Sequence, residues 1–137
     1  MYLILKSLHG IFAYVSLILI FVSIAYSVYG LMKKIDFTKQ SKMIMVSGLS
    51  GVHIQLVIGT LLYFFSPLGM SNISREMMKN STSRLYAVEH PVMMLLGIVL
   101  ITTGYVKSKK AAESKTKFRN IIIFYTLGIL CFMSRMP

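Results

Sequence analysis

Four apolar runs divide this chain, over residues 2–32, 43–66, 85–106 and 120–134. They are interrupted by small or weakly polar residues more often than by charges. A helix needs about 20 apolar residues to cross a bilayer core about 30 Å thick, so three runs have spanning length and the last is a short fourth span. The pattern predicts one all-α domain over residues 1–137, an integral membrane up-down four-helix bundle.

Small residues follow one face of the first run. Steps of three and four residues place them on a single helical stripe. The stripe consists of His9, Ala13, Ser16, Ile20, Ser23, Ser27 and Gly30. Because small residues let membrane helices approach closely, we expect it to face the bundle interior. The second run carries a similar stripe of Gly48, Gly51, Gln55 and Gly59, with His53 on a different face.

The composition agrees with a multi-pass protein in a lipid bilayer. The chain is 55% hydrophobic and 14% charged, whereas soluble domains are about 25% charged. The net charge of +11 lies in short clusters between apolar runs, not on one face of a soluble fold, so we exclude nucleic acid as a partner. Cys131 is the only cysteine, which excludes an internal disulfide and a cysteine-rich metal cluster.

Basic residues predict the orientation. The loops after the first and third runs hold ten of the 15 Lys and Arg residues, and the other side holds Lys6, Arg75, Lys79, Arg84 and Arg135. By the positive-inside rule both basic loops are cytoplasmic, and both termini lie on the outer, periplasmic side. In the longest connection, residues 67–83, apolar and charged residues alternate in a way that predicts a short amphipathic helix at the interface.

A carboxylate, an imidazole and a proline stand together where the third run begins, as Glu89-His90-Pro91. Ionisable groups at membrane depth are costly and usually mark a functional site. Pro91 either occupies the first turn of the helix or kinks a helix that begins near Thr82. The pattern leaves both alternatives open.

Depth along the helices pairs two of the three histidines. His9 lies about 10 Å and His90 about 9 Å inside the same side of the membrane, at about 1.5 Å per residue. The first and third helices of an up-down bundle are diagonal, so these imidazoles can face each other across the core. Such a pair can ligate a b-type haem iron axially. His53 lies about 10 Å deeper, as an alternative ligand or, together with Gln55, as a residue lining a quinone or proton path.

Further residues complete the candidate site. Gly97 is small enough to admit a cofactor beside the histidines, Arg84 near the rim can meet haem propionates, and Glu89 can orient a ligand or handle a proton. The candidate metal ligands are His9, His90 and His53. The alternative is structural, because a membrane histidine often only hydrogen-bonds to a neighbouring helix.

Three segments together resemble a known family. They are residues 8–10, 51–59 and 88–94, with the sequences LHG, GVHIQLVIG and VEHPVMM. They resemble a family of small bacterial four-helix membrane proteins described as cytochrome b-like, and the resemblance covers almost the whole chain. It implies a bacterial inner (cytoplasmic) membrane protein with His9, His53 and His90 as haem or metal positions.

The middle segment is also similar, more loosely, to the histidine-bearing helices of one half of haem A synthase. Here the glutamate directly precedes His90, whereas that enzyme has a Glu-x-x-His-Arg pattern, and the chain is half the size expected. The synthase reaction is therefore not carried over, and whether any reaction is catalysed stays open.

Three functional hypotheses follow. The leading one is a membrane b-type haem protein for electron transfer, within or beside a respiratory or quinol-linked complex. The second is a haem-free accessory or assembly subunit with structural histidines, and the third is a small metal-handling or transport protein. The first two make other membrane subunits, or further copies of the chain, the expected partners.

Overall fold

The computed structural model describes residues 1–137 as helices joined by short connections, without strands. The long helices are α1 (Tyr2–Lys33), α2 (Lys39–Phe65), α5 (His90–Lys110) and α6 (Ser114–Ser134), and the short ones are α3 (Arg75–Met78) and α4 (Ser81–Arg84). Helix α4, a π-helical turn over Leu85–Glu89 and α5 form one continuous helix, Ser81–Lys110. This helix and α1, α2 and α6 are long and apolar enough to cross a membrane, which confirms the predicted all-helical fold with four helices of spanning length.

The four long helices form an up-down bundle. Around it, α1 contacts α2, α2 contacts α5, α5 contacts α6 and α6 contacts α1, so α1 and α5 are diagonal as predicted. One end, here called the terminal end, carries both termini and the connection 66–80. The other, called the lysine end, carries the short loops 34–38 and 111–113.

Three helices extend beyond the apolar runs. Helix α2 begins at Lys39 rather than 43, the third long helix covers Ser81–Lys110 rather than 85–106, and α6 begins at Ser114 rather than 120. At α2 the cause is a capping box, in which Thr38 Oγ1 accepts from the Ser41 N–H at 3.4 Å and Ser41 Oγ accepts from the Thr38 N–H at 3.1 Å. Lysine is also a good helix former, so the basic segments that flank the apolar runs are part of the helices.

The small-residue stripe of α1 lies inside the bundle, as predicted. Its central members Ser16, Ser23 and Ser27 are buried, together with Ile20 and Gly30. The glycines of α2 meet this stripe closely. A Cβ on Gly51 would lie 3.1 Å from Ser16 Oγ and one on Gly48 would lie 2.9 Å from Ile20 Cδ1, so larger residues there would push α1 and α2 apart.

The tightest packing lies toward the lysine end. Tyr125 of α6 is fully buried, and its hydroxyl donates to the backbone carbonyl of Met45 at 2.9 Å. That bond ties α6 to α2 diagonally across the core. Among the neighbouring helix pairs, α2 and α5 pack against each other least.

The connection 66–80 contains only one turn of α-helix, α3, after a 3-10 turn over Met70–Asn72. Ser74 caps α3 by accepting from the Met77 N–H at 3.0 Å. Of the apolar side chains that alternate with charged ones here, Met77 is buried, whereas Ile73 and Met78 are exposed. The helix is therefore present but shorter than an interfacial amphipathic helix.

Candidate functional site

A π-helical turn leads directly into His90. The His90 N–H donates to the carbonyl of Leu85, five residues earlier, where an α-helix would use the fourth. Since the helix begins at Ser81, Pro91 lies in its interior and not in its first turn. Of the two alternatives, the structure therefore has the longer helix, which is distorted before Pro91. Single π turns occur frequently at functional sites in helices.

Pro91 also explains an interhelical bond. A proline has no N–H, so it cannot pair with the carbonyl four residues earlier, which here belongs to Ala87. The hydroxyl of Tyr63 in α2 donates to that carbonyl at 2.7 Å. The bond satisfies a buried acceptor and holds the turn before His90 against α2.

The structure brings together the two histidines that the depth argument paired. The ring centres of His9 and His90 are 6.1 Å apart and the ring planes meet at 82°. Because α1 and α5 are diagonal, the two imidazoles meet across the interior of the bundle, near its terminal end. Both residues are half-buried.

Hydrogen bonds fix the state of His90. Its Nδ1 lies 2.9 Å from the backbone carbonyl of Arg135, at the end of α6. Because a carbonyl only accepts, Nδ1 carries the proton, and in the neutral imidazole Nε2 then keeps its lone pair. Metal-ligating histidines usually donate their second ring N–H to a carbonyl or carboxylate in this way.

His9 is held differently. The side-chain amide of Gln55 donates to the His9 backbone carbonyl at 2.7 Å, while Nδ1 of the His9 ring and Oε1 of Gln55 are buried without a hydrogen-bond partner. The ring rests on Gly59, where an added Cβ would lie 3.2 Å from His9 Cε1. A glycine at this position therefore gives the imidazole its place between α1 and α2.

His53 does not join this pair. Its Nε2 lies 2.9 Å from Thr102 Oγ1, and the Thr102 hydroxyl donates to the Ile98 carbonyl at 2.7 Å. The histidine is therefore the donor in a link from α2 to α5. It stands six residues, about 9 Å, from Gly59 toward the lysine end, in agreement with its predicted greater depth.

An ionic cluster lies beside the pair at the terminal end. Glu89 Oε2 is 2.7 Å from Arg84 Nε, and Glu89 Oε1 is 3.4 Å from Arg135 Nε. Arg84 also donates from Nη1 to the Met78 carbonyl at 2.9 Å. These three charged side chains border an open cleft of about 330 Å³. Glu89 and Arg84 thus form an ion pair at the terminal end, and Arg135 is the third residue of the cluster.

Gly97 lies elsewhere. A Cβ there would meet the Phe132 ring at 2.5 Å from Cε1 and the Gly128 carbonyl oxygen at 2.9 Å. The space that a side chain would occupy is thus taken by residues of α6, and Gly97 leaves no room for a cofactor beside the histidines. Its place in the structure is the close contact between α5 and α6.

The ligand set is limited to these two imidazoles. The chain contains no cluster of three or more His, Cys, Asp or Glu side chains that could hold a metal ion. Structural and catalytic zinc sites use three or four protein ligands. A haem iron needs only one or two, because the porphyrin supplies the others.

The sequence did not predict Arg135 and Tyr63 as site residues, and it predicted Gln55 only as a partner of His53 in a quinone or proton path. Arg135 contributes its backbone carbonyl to His90, which no side-chain pattern reveals. Gln55 was placed on the inner stripe of α2, and a polar residue among glycines was the available signal. For Tyr63 the signal was Pro91 itself, since an interior proline leaves one carbonyl to be satisfied.

Comparison with known proteins found no matching family model, curated protein or solved structure. The cytochrome b-like resemblance and the roles that it implies stay predictions. The case for a function comes from the geometry of the site.

Proposed function

We propose that the chain is a membrane-bound b-type haem protein for electron transfer, with His9 and His90 as the two axial ligands of one iron. The observation that carries the proposal is the 6.1 Å separation of the two ring centres. Metal–imidazole bonds are about 2.0–2.1 Å and a ring centre lies about 1.2 Å from its nitrogen, so imidazoles on opposite sides of one metal have centres about 6.4 Å apart. The pair is within a few tenths of an ångström of that spacing.

The surroundings of both rings support ligation. His90 donates Nδ1–H to a carbonyl and keeps Nε2 free, and His9 has a buried nitrogen without a partner. A buried polar atom without a partner is costly, so it calls for an explanation such as an absent ligand. The chain's own residues thus orient one imidazole and leave the other in need of a partner.

The rim offers suitable charges. Arg84 and Arg135 form ion pairs with Glu89, the residue that precedes His90, and guanidinium groups bind carboxylates such as haem propionates bidentately. Glu89 holds both guanidinium groups in place. When bound, haem would supply one-electron redox chemistry.

The proposed electron partners lie in the membrane. The four long helices use most of the chain, and the connections between them are too short to form a soluble docking domain. A quinol in the bilayer, or a neighbouring membrane subunit, is therefore the expected electron donor or acceptor. The proposed location is a bacterial inner membrane, with the lysine end cytoplasmic by the positive-inside rule.

The test is haem content in variants matched by residue type. The protein is produced with ample haem, purified in mild detergent and examined by reduced-minus-oxidised absorption spectra. We expect haem bands in the original protein, loss of bands in His9→Ala and His90→Ala, and retained bands in His53→Ala, because His53 bonds to Thr102 away from the pair. A protein without haem bands, or one whose haem depends on His53 alone, would refute the proposal.

A second function has its own support. His53 and His90 both have hydrogen-bond partners within the chain, and the space beside Gly97 is filled by Phe132. These contacts suit a haem-free accessory subunit whose histidines connect its helices. That function predicts copurification with a larger membrane complex whose cofactor content is unchanged by His9→Ala and His90→Ala.

A further inference from the structure

The lysine end carries a large uncompensated positive charge. Ten of the 15 Lys and Arg residues lie there with two acidic residues, Asp36 and Glu113. Both ion pairs of the chain involve Glu89 at the terminal end. The basic residues of the lysine end therefore have no carboxylate partner within the chain.

Four of these lysines converge on one cleft. It lies between the start of α2, the end of α5 and the start of α6, and has a volume of about 290 Å³. Its cations are Lys39, Lys42, Lys109 and Lys117, beside the rings of Phe37 and Tyr105. The four lysines thus belong to three helices and line one concave surface.

Part of this cleft is preformed. Lys117 Nζ donates to the carbonyls of Ser108 at 3.0 Å and Lys109 at 3.1 Å, and it lies 5.6 Å from the centre of the Phe37 ring. An ammonium group has three N–H donors, so one remains for a ligand. Because this charge is already fixed, less side-chain freedom is lost when an anion binds.

The position of Phe37 in this cleft is also fixed. The Phe37 N–H donates to Ser114 Oγ at 2.8 Å, and the Phe37 ring lies 5.2 Å from the ring of Phe118, which is fully buried. The loop between α1 and α2 is therefore attached to α6. By contrast Lys39, Lys42 and Lys109 are exposed and free to close over a ligand.

We propose that this cleft binds the phosphate-bearing headgroup of an anionic phospholipid. It lies where spanning helices end, which is the depth of lipid headgroups, and basic pockets between membrane helices are typical sites for such headgroups. The lysines would meet the phosphate, and the rings of Phe37 and Tyr105 suit the boundary between headgroup and acyl chains. The site is independent of the histidine pair and of haem.

The experiment uses the full chain in a neutral detergent. It is titrated with dioleoyl phosphatidylglycerol or with dioleoyl phosphatidylcholine, which has the same acyl chains, and bound lipids are counted by native mass spectrometry. We expect one phosphatidylglycerol to be retained at concentrations where phosphatidylcholine is not. Equal retention of the two lipids, or displacement of the lipid by excess inorganic phosphate, would overturn the proposal, since the second result indicates a small-anion site.

Two triple variants separate the cleft from general surface charge. Changing Lys39, Lys42 and Lys109 together to Gln should weaken phosphatidylglycerol binding about tenfold or more. The control changes three lysines of the same end that lie outside the cleft to Gln, namely Lys33, Lys110 and Lys115. It removes the same charge and should leave phosphatidylglycerol binding within about twofold of that of the original protein. Equal losses in both variants would contradict a defined site.

A milder variant guards against misfolding. The single change Lys109→Gln lies at the exposed end of α5, and it should give a smaller loss of the same sign with unchanged helical circular dichroism. If this variant and the triple cleft variant both bind phosphatidylglycerol as the original protein does, the proposal is wrong.

Discussion

The bond from Tyr63 to the Ala87 carbonyl is a sharp test of how the third long helix is held. Tyr63→Phe removes the donor and leaves that carbonyl without the partner that Pro91 cannot supply. A half-satisfied buried carbonyl costs about 1–3 kcal/mol in soluble proteins, whereas interhelical bonds in membranes average about 0.6 and reach about 1.7 kcal/mol. We expect a loss of about 1 kcal/mol, a roughly fivefold change in the unfolding equilibrium.

A double-mutant cycle isolates the reason for this cost. Pro91→Ala restores an N–H that can reach the Ala87 carbonyl, so Tyr63→Phe in that background should cost less than about 0.5 kcal/mol. The assay is equilibrium unfolding in mixed micelles, followed by circular dichroism, of the original protein, both single variants and the double variant. A cost for Tyr63→Phe that is the same with and without Pro91, or no cost in either, would refute the explanation.

Three further predictions concern packing and charge, and the same unfolding assay measures them. Gly97→Ala should cost about 1–3 kcal/mol because the added Cβ meets the Phe132 ring. A Cβ added at Gly10 has no atom within 4 Å, so Gly10→Ala should be neutral or stabilise the protein by up to about 1 kcal/mol. Equal effects of the two substitutions would contradict this. Thr102→Val, which removes the partner of His53, should cost about 0.6–1.7 kcal/mol without altering haem content, and altered haem content would count against the placement of His53. Glu89→Gln should lower the free energy of unfolding by less than about 1 kcal/mol because its ion pairs are partly exposed. A loss above about 2 kcal/mol would contradict this small contribution of the ion pairs.

The interior of the bundle was predictable from the sequence. The stripe from Ser16 to Gly30 recurs with helical spacing, and in a membrane the small residues of such a stripe mark where helices touch. The same geometry paired His9 with His90, since equal depth on diagonal helices leaves few other partners. Both predictions depend only on helical periodicity and on the alternating direction of successive spans.

Other features depend on local competition that periodicity does not capture. Helix α2 begins at Lys39 because Thr38 and Ser41 cap it, not where its apolar residues begin. The π turn before His90 depends on how Pro91 is accommodated, which involves Tyr63 of another helix. Hydrogen bonds that a backbone carbonyl accepts, such as the one from His90 Nδ1 to the Arg135 carbonyl, are independent of that residue's side chain and leave no signal in the sequence.

Electron paramagnetic resonance of the oxidised protein, produced with ample haem, tests the paired ligation most directly. Two imidazoles on one iron give a low-spin ferric centre, and ring planes at 82° should make its signal strongly anisotropic. We predict such a signal in the original protein and in His53→Ala, and its loss in His9→Ala and His90→Ala. A high-spin signal, a low-spin signal that survives both substitutions, or a protein that binds no haem would contradict ligation by this pair.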